Sequence, residues 1–596
     1  MFQEKAKGLT TLFTFSHYLI MLKRNWLFAL RKISNNKILS FLTIIGLLLG
    51  ISSALVIYLI VAYDFSFERN HRDGDRIFRI VSTSTIGHES INSYGVPMPL
   101  FNAIKSDISG IDQICHFRIY SEKVNVQLSD NNGMQKTFLS QSKICFADSS
   151  YFNFFTTNWL AGSPQTALSS PFSVVLTESR AKLYFPHTSP DLLIGEKFIY
   201  NDSIEVTIKG ILKDIVENSD FQFQEFISYE TILKSRLKDE FFADKWTVSS
   251  NEQLFIKKVG NALPASIESQ LNKLAKFQGE EGELSSTFHL QALNDIHFKG
   301  MFGNFERQAD KSTLFSLSLI GLIMLLLACI NCINLTIAQA LQRTKEIGVR
   351  KSMGASRKQL VFLFLTETFC LTLFATVLSL ILLPFILKAL SPFVYFTVSI
   401  ANVWQLNIIT CSLFLILPVT LISGLYPSWV LATTNPALTL RNRLSSSTKT
   451  PAKSVVRSFL TVTQFVFAQS FILATIFVAQ QNYYIRHKDL GFLKEGVINL
   501  SLPYQDTSKL KRFSFLNELQ KIPQIEDIIL AGNPPSTNYS TVKVMRKSDG
   551  QKMSVEVKYS DSTYFNFYKI KVIAGRLPNN DSLNEYIVNQ RVVLLN

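Results

Sequence analysis

Residues 343–360 read "RTKEIGVRKSMGASRKQL", with six Lys or Arg, one Glu and two glycines. This charged stretch sits between the two most apolar regions of the chain, "LFSLSLIGLIMLLLACINCINLTIAQAL" before it and "VFLFLTETFCLTLFATVLSLILLPFIL" after it. Each neighbour exceeds the ~20 apolar residues needed to cross a hydrocarbon core of ~30 Å. The patch is therefore read as the turn between two membrane spans.

The 596-residue chain is 47% hydrophobic, and the apolar residues gather in runs. Five runs predict spans at 38–63, 312–342, 360–390, 402–432 and 458–480. The net charge of +15 is also uneven. Residues 1–37 hold seven Lys or Arg and one Glu, and residues 432–457 hold five and no acid. Residues 64–311 hold 25 basic against 31 acidic residues. Basic residues beside spans mark the cytoplasmic side. The predicted topology thus places 1–37, 343–359 and 433–457 inside, and 64–311 and 481–596 outside. A nucleic-acid binder would need a basic globular face, which this distribution does not provide.

Within 1–37, "MLKRNWLFALRKISNNK" sets Leu22, Trp26, Ala29, Leu30 and Ile33 on one helical face, with Lys23, Arg31 and Lys32 towards the other. That pattern predicts an amphipathic helix in the cytoplasmic interface. In 64–311, "QICHFRIY", "KVNVQLS" and "SIEVTIKGIL" read as strands, and "PLFNAIKSDI", "SRAKLYF" and "PASIESQLNKLAKF" as helices. The fold class expected is an α-helical transmembrane bundle with large α+β extracytoplasmic domains.

An internal repeat extends this plan. "DSSYFNFFTTNWLAG" (Asp148–Gly162) returns as "DSTYFNFYKIKVIAG" (Asp561–Gly575), an ungapped offset of 413 residues. The same offset brings the first span close to the fifth. One unit of span, domain and three spans is thus followed by the start of a second, incomplete external domain at 481–596. A complete second copy would need roughly 250 more residues and three more spans, for a protein of about 800–850 residues.

Catalytic and metal motifs are missing from the sequence. There is no G-x-x-x-x-G-K-[ST] phosphate loop, no strand–G-x-G-x-x-G–helix arrangement and no H-E-x-x-H. His289 and His297 flank "LQALNDI" with Asp295 nearby, but the segment alternates like a strand and matches no zinc spacing. Cys329 and Cys332 lie at bilayer depth, where thiols pack as small apolar groups. Cys115 and Cys145 fall in the external domain, where a disulfide between them is open. Glu367 is the main ionisable residue inside a span, and a lone carboxylate is a weak basis for an ion-driven pump.

A membrane protein without an engine of its own needs a partner or a receptor role. A short helix with a mixed charged face, bracketed by turns at Gly348 and Gly354, is suited to docking into another protein. "KEIGVRKSMGASRKQL" resembles the E-I-G-x-R-x-x-x-G-A signature of the MacB/FtsX-type ABC transporter permeases. Further stretches support the resemblance in order: "YDFSFERNHRDGDRIFRI", "LQALNDIHF", "GLYPSWVLATTNPALTL" and "NYYIRHKDLGFLKEGV". The likeness is to the long, internally duplicated bacterial form.

The resemblance implies a noncatalytic permease subunit of the bacterial inner membrane, driven by a separate cytoplasmic ABC ATPase that alone binds ATP. It implies two ATPase copies per full-length chain, and a periplasmic adaptor among the candidate partners. Carried over by position, Glu346, Ile347, Gly348, Arg350, Gly354 and Ala355 form the segment that contacts the ATPase. No cofactor, metal or catalytic residue is implied. Candidate cargoes are antimicrobial peptides, lipoproteins and signals to cell-wall hydrolases. A sensory receptor is the alternative, although the chain has no helical cytoplasmic signalling stalk.

Overall fold

The computed structural model describes residues 26–29, 31, 34–86, 89–129, 135–216, 218–278, 285–394, 406–433, 451–500, 509–531, 534–536, 540–545, 552–561, 563–577 and 585–590. The chain divides into two compact units, Met1–Phe65 with Asp310–Arg486, and Ser66–Ala309 with His487–Asn596.

The first unit is helical. Helix α1 runs Lys37–Phe65, and among the described residues five helices are long and apolar enough to cross a membrane. A helix satisfies most of its own polar backbone groups, as a bilayer requires. Without a hydrophobic drive between helices in lipid, close packing of small residues carries association. Gly46 and Gly50 of α1 show this: a Cβ at Gly50 would lie 2.4 Å from the Ala328 Cβ, and one at Gly46 would lie 2.6 Å from the Asn331 amide nitrogen. Leu47, Ile51, Leu55, Ala328, Cys329, Cys332 and Ala375 form the centre of this bundle. Both thiols of the "CINC" sequence are thus packing groups. At the N-terminal side, Trp26 meets Phe369 with ring centroids 6.2 Å apart, and Ala29 is buried. Those two face inward as the amphipathic pattern requires. Leu22, Leu30 and Ile33 lie outside the described residues.

The second unit is α+β. Among the described residues thirteen strands join in one sheet. They are β1 (Ile77–Ile86), β2 (Glu89–Ser93), β3 (Ile111–Tyr120), β4 (Val124–Ser129), β5 (Gln135–Gln141), β6 (Ile144–Ala147) and β7 (Trp159–Gly162). They continue with β8 (Ser173–Thr177), β9 (Lys197–Tyr200), β10 (Ile204–Leu212), β11 (Glu225–Ser228), β12 (Glu252–Lys258) and β13 (Ser285–Ala292). The order is β13-β1-β12-β3-β6-β11-β8-β10-β9-β4-β5, with β2 beside β1 and β7 beside β10. Only β8–β10 and β6–β11 pair in parallel among the described strands. Helices α2 (Leu100–Asp107), α3 (Tyr151–Phe154), α4 (Glu178–Tyr184), α5 (Glu230–Leu233), α6 (Leu237–Glu240) and α7 (Pro264–Gln278) complete the domain.

The central strands are buried on both faces, which explains their unbroken apolar runs. On β6, Ile144 and Phe146 face one core while Cys145 and Ala147 face another built from Phe117, Tyr151, Phe155, Phe221, Phe226 and Phe255. Cys115 and Cys145 are free thiols in that second core, and burial raises the pKa of both. His297 is buried, stacked on Phe67 at 3.5 Å between centroids and 3.0 Å from Asp220 through Nδ1. His289 instead sits on β13. The two histidines are therefore not brought together, and no metal-holding cluster occurs among the described residues.

The repeated segments share local geometry. Asp148 Oδ1 accepts from the Ser150 backbone N–H at 2.8 Å, and Asp561 Oδ1 accepts from that of Thr563 at 3.0 Å. The short helix Tyr151–Phe154 matches Tyr564–Phe567, each closed by the next residue's N–H, and Gly162 and Gly575 have φ of +84° and +88°. They differ at the end: residues 159–162 pair with β10, whereas 572–575 form no strand.

Candidate coupling segment

The charged stretch is built by helix α8, Lys311–Ser352, whose first turn is capped by Asp310 accepting from the N–H of Ser312 at 2.8 Å. The segment 343–352 is therefore the last three turns of the membrane helix, and the expectation of a short helix set off by a turn at Gly348 is corrected. A glycine inside a helix costs only ~1 kcal/mol, which surrounding packing readily offsets. Gly348 is buried within the helix.

Gly354 behaves as expected of a turn glycine. Its φ is +93°, a region that favours residues without a Cβ. The Ala355 N–H donates to the Arg350 carbonyl at 3.0 Å and the Gly354 N–H to that of Lys351 at 3.0 Å. This pair of bonds is the Schellman ending of a helix, which satisfies carbonyls left open at a C-terminus. Ser356 then opens helix α9 (Arg357–Leu390) with a reciprocal cap: its hydroxyl accepts from the Gln359 N–H at 3.3 Å, and Gln359 Oε1 accepts from the Ser356 N–H at 2.9 Å. "MGASRKQ" thus encodes a helix stop and a helix start within a few residues.

Two residues fasten this knuckle to the bundle. Ile347 is 2% exposed in a cluster with Leu360 and Phe364 of α9 and with Leu431 and Ala432, at the end of helix α10 (Leu406–Ala432). The Lys351 ammonium donates to the Ala432 carbonyl at 2.6 Å, placing a cation where the α10 dipole is negative. Arg350 is held on two sides, by Glu346 at 2.9 Å and by the ring of Phe28 at 4.4 Å. The latter distance is in cation–π range.

The sequence-nominated residues therefore divide. Ile347 and Gly348 face inward and Ala355 is half-buried, whereas Glu346 and Gly354 face outward. Sequence reasoning missed the rest of the outward row, Val349 (48% exposed) and Met353 (82% exposed). With Glu346 they fall at i, i+3 and i+7, one stripe of a helix. Continuing α8 through Gly348 in register would have found them. Lys351 was overlooked as one more basic residue of the patch.

Comparison with known proteins follows this architecture. Residues 40–274 match the family model described as MacB-like periplasmic core domain, and residues 318–436 match FtsX-like permease C-terminal. The uncharacterized ABC transporter permease YknZ of Bacillus subtilis (strain 168) is 25% identical over 202 residues, covering 33% of this chain and 45% of its own length. The macrolide export ATP-binding/permease protein MacB of Haemophilus ducreyi (strain 35000HP / ATCC 700724) is 24% identical over 206 residues, covering 34% of this chain and 26% of its own. The chain thus spans less than half the length of either relative. Among solved structures, a domain of a Porphyromonas gingivalis permease protein aligns over 42% of this chain and 99% of its own, at 14% identity and a TM-score of 0.32.

Proposed function

The chain belongs to the MacB/FtsX-type ABC transporter permeases, and on that premise we propose that it couples a separate cytoplasmic ATPase to movement of its periplasmic domain. The observation that supports this most is the knuckle at 346–356. It is exposed on one side and fastened on the other to helices α9 and α10 and to Phe28. A displacement there would be passed along α8, which at ~1.5 Å per residue is about 63 Å long and begins after Asp310, where the chain leaves the external domain. On this reading ATP is bound by the partner alone, and the membrane is the bacterial inner membrane. The work done is export or remodelling in the envelope.

The outward stripe Glu346–Val349–Met353 is the contact surface, and Ile347, Arg350 and Lys351 hold it in shape. Val349→Asp changes an exposed residue and so leaves insertion and expression intact. Burying its unpaired carboxylate in an interface costs about 2–5 kcal/mol. ATPase co-purification should fall at least tenfold. Lys358→Gln, which alters charge on the exposed start of α9, should do far less. Equal losses for both variants would mean that positive charge alone recruits the partner.

A further inference from the structure

The external domain contains a cavity of about 180 Å³ lined by Arg118, Tyr120, Ser121, Glu122, Glu240, Phe241 and Asn251 among others. It lies where the end of β3 meets the end of α6, more than a hundred residues apart in sequence. The walls are organised by aromatic packing: Phe241 stands 6.2 Å from both Tyr120 and Phe146 between ring centroids. Asn251 donates to the Ser121 hydroxyl at 3.1 Å, closing one side.

Arg118 has a side chain only 8% exposed, stacked on Phe241 with its guanidinium carbon 4.0 Å from the ring centroid. It reaches Glu252 through one nitrogen at 3.3 Å, and its Nε has no hydrogen-bond partner. Glu252 is itself a weak counter-ion, because burial raises its pKa to about 7. A buried guanidinium with spare donor capacity is costly unless something accepts from it. Among the other lining residues, Glu122 and Glu240 have the opposite deficit. Neither carboxylate has an ion-pair partner among the described residues, and burial, then the charge of Glu240, raises the pKa of Glu122.

We propose that this cavity binds one residue-sized group carrying both a carboxylate and a distal organic cation: a basic amino acid, free or as the C-terminal residue of a peptide. The carboxylate meets Arg118 and the cation meets Glu122 and Glu240. The volume is below the roughly 300–1,000 Å³ of drug-sized pockets, which limits the occupant to a single residue. Arg118 and Glu122 are four residues apart along extended chain and its following turn, a span of up to about 13 Å. That spacing suits a cation at the end of a long side chain better than the ammonium of an α-amino group.

The test is calorimetric titration of the whole chain in detergent with L-arginine, the dipeptide Gly-Arg, L-citrulline and L-argininamide. No ATPase is needed, so the result is independent of the coupling proposal. At least one of L-arginine and Gly-Arg should saturate the site. Tighter binding of Gly-Arg identifies a peptide terminus, and equal or tighter binding of arginine a free amino acid. Citrulline lacks the cation and argininamide the carboxylate, and each should bind at least about tenfold more weakly. Glu240→Gln, at an exposed position, and Glu122→Gln should weaken arginine by a similar factor, with the near-ultraviolet dichroism unchanged. Failure of both arginine and Gly-Arg to bind at millimolar concentration would overturn the proposal. So would citrulline binding as tightly as arginine, or calcium alone occupying the two glutamates.

Discussion

His116 illustrates how much a single buried side chain on β3 can reveal. It is 7% exposed, with ring centroids 3.8 Å from Phe101 and 4.0 Å from Tyr229, and Nδ1 lies 3.4 Å from Asp148. Burial lowers its pKa to about 4, with Asp148 opposing and Lys105 assisting. A base depressed in the folded state from an ordinary ~6.5 contributes stability above that value and loses it as pH falls. Glu252, held near 7 by burial, contributes the opposite slope in the same range, so a variant comparison isolates the histidine. Relative to His116→Phe, the wild-type domain should lose about 1.4 kcal/mol per pH unit between 6.5 and 4.5. Hydrogen exchange of the β3 amides, read in the whole chain, reports this difference. A constant offset between the two proteins across that range would show that folding does not depress the His116 pKa.

At the scale of elements, the spans and a few of the thirteen strands were legible because each obeys a local rule. Spans follow from apolar length, and "QICHFRIY", "KVNVQLS" and "SIEVTIKGIL" follow from β-branched runs and alternation, all matched by β3, β4 and β10. What escaped was long-range or cooperative. Gly348 looked like a helix breaker until the burial of Ile347 was known, and the cavity joins β3 to an α6 that no local pattern places beside it. The glycines of α1 were legible but unread: Gly46 and Gly50 form a G-x-x-x-G pair against α8. Gly50→Leu should force the two helices apart and cost about 1–3 kcal/mol as overpacking. The whole chain in detergent should then lose its monodisperse chromatographic peak at a lower temperature than wild type. Leu49→Ala, at a residue 61% exposed, should shift little. An unchanged transition for Gly50→Leu would show that the α1–α8 contact contributes nothing to bundle stability.

For the whole molecule, the account joins a polar knuckle, a rod-like helix and an external α+β domain within a permease architecture. The sequence announced the knuckle by its charge, yet charge turns out to have several separate tasks there. Lys351 caps α10 and Arg350 is clasped by Glu346 and Phe28, while the neutral Ser356 starts α9. The face left outward is small and partly apolar, which suits a protein partner better than a phosphate-bearing surface. Cysteine cross-linking in native membranes tests this most directly. Met353→Cys, at 82% exposure, and Ile347→Cys, at 2%, are compared for bismaleimide cross-links to the co-expressed cytoplasmic ATPase. The account predicts a covalent adduct of permease and ATPase from Met353→Cys and none from Ile347→Cys. No adduct from Met353→Cys, in a preparation where the ATPase still co-purifies, would place the partner elsewhere and contradict the assignment of the knuckle.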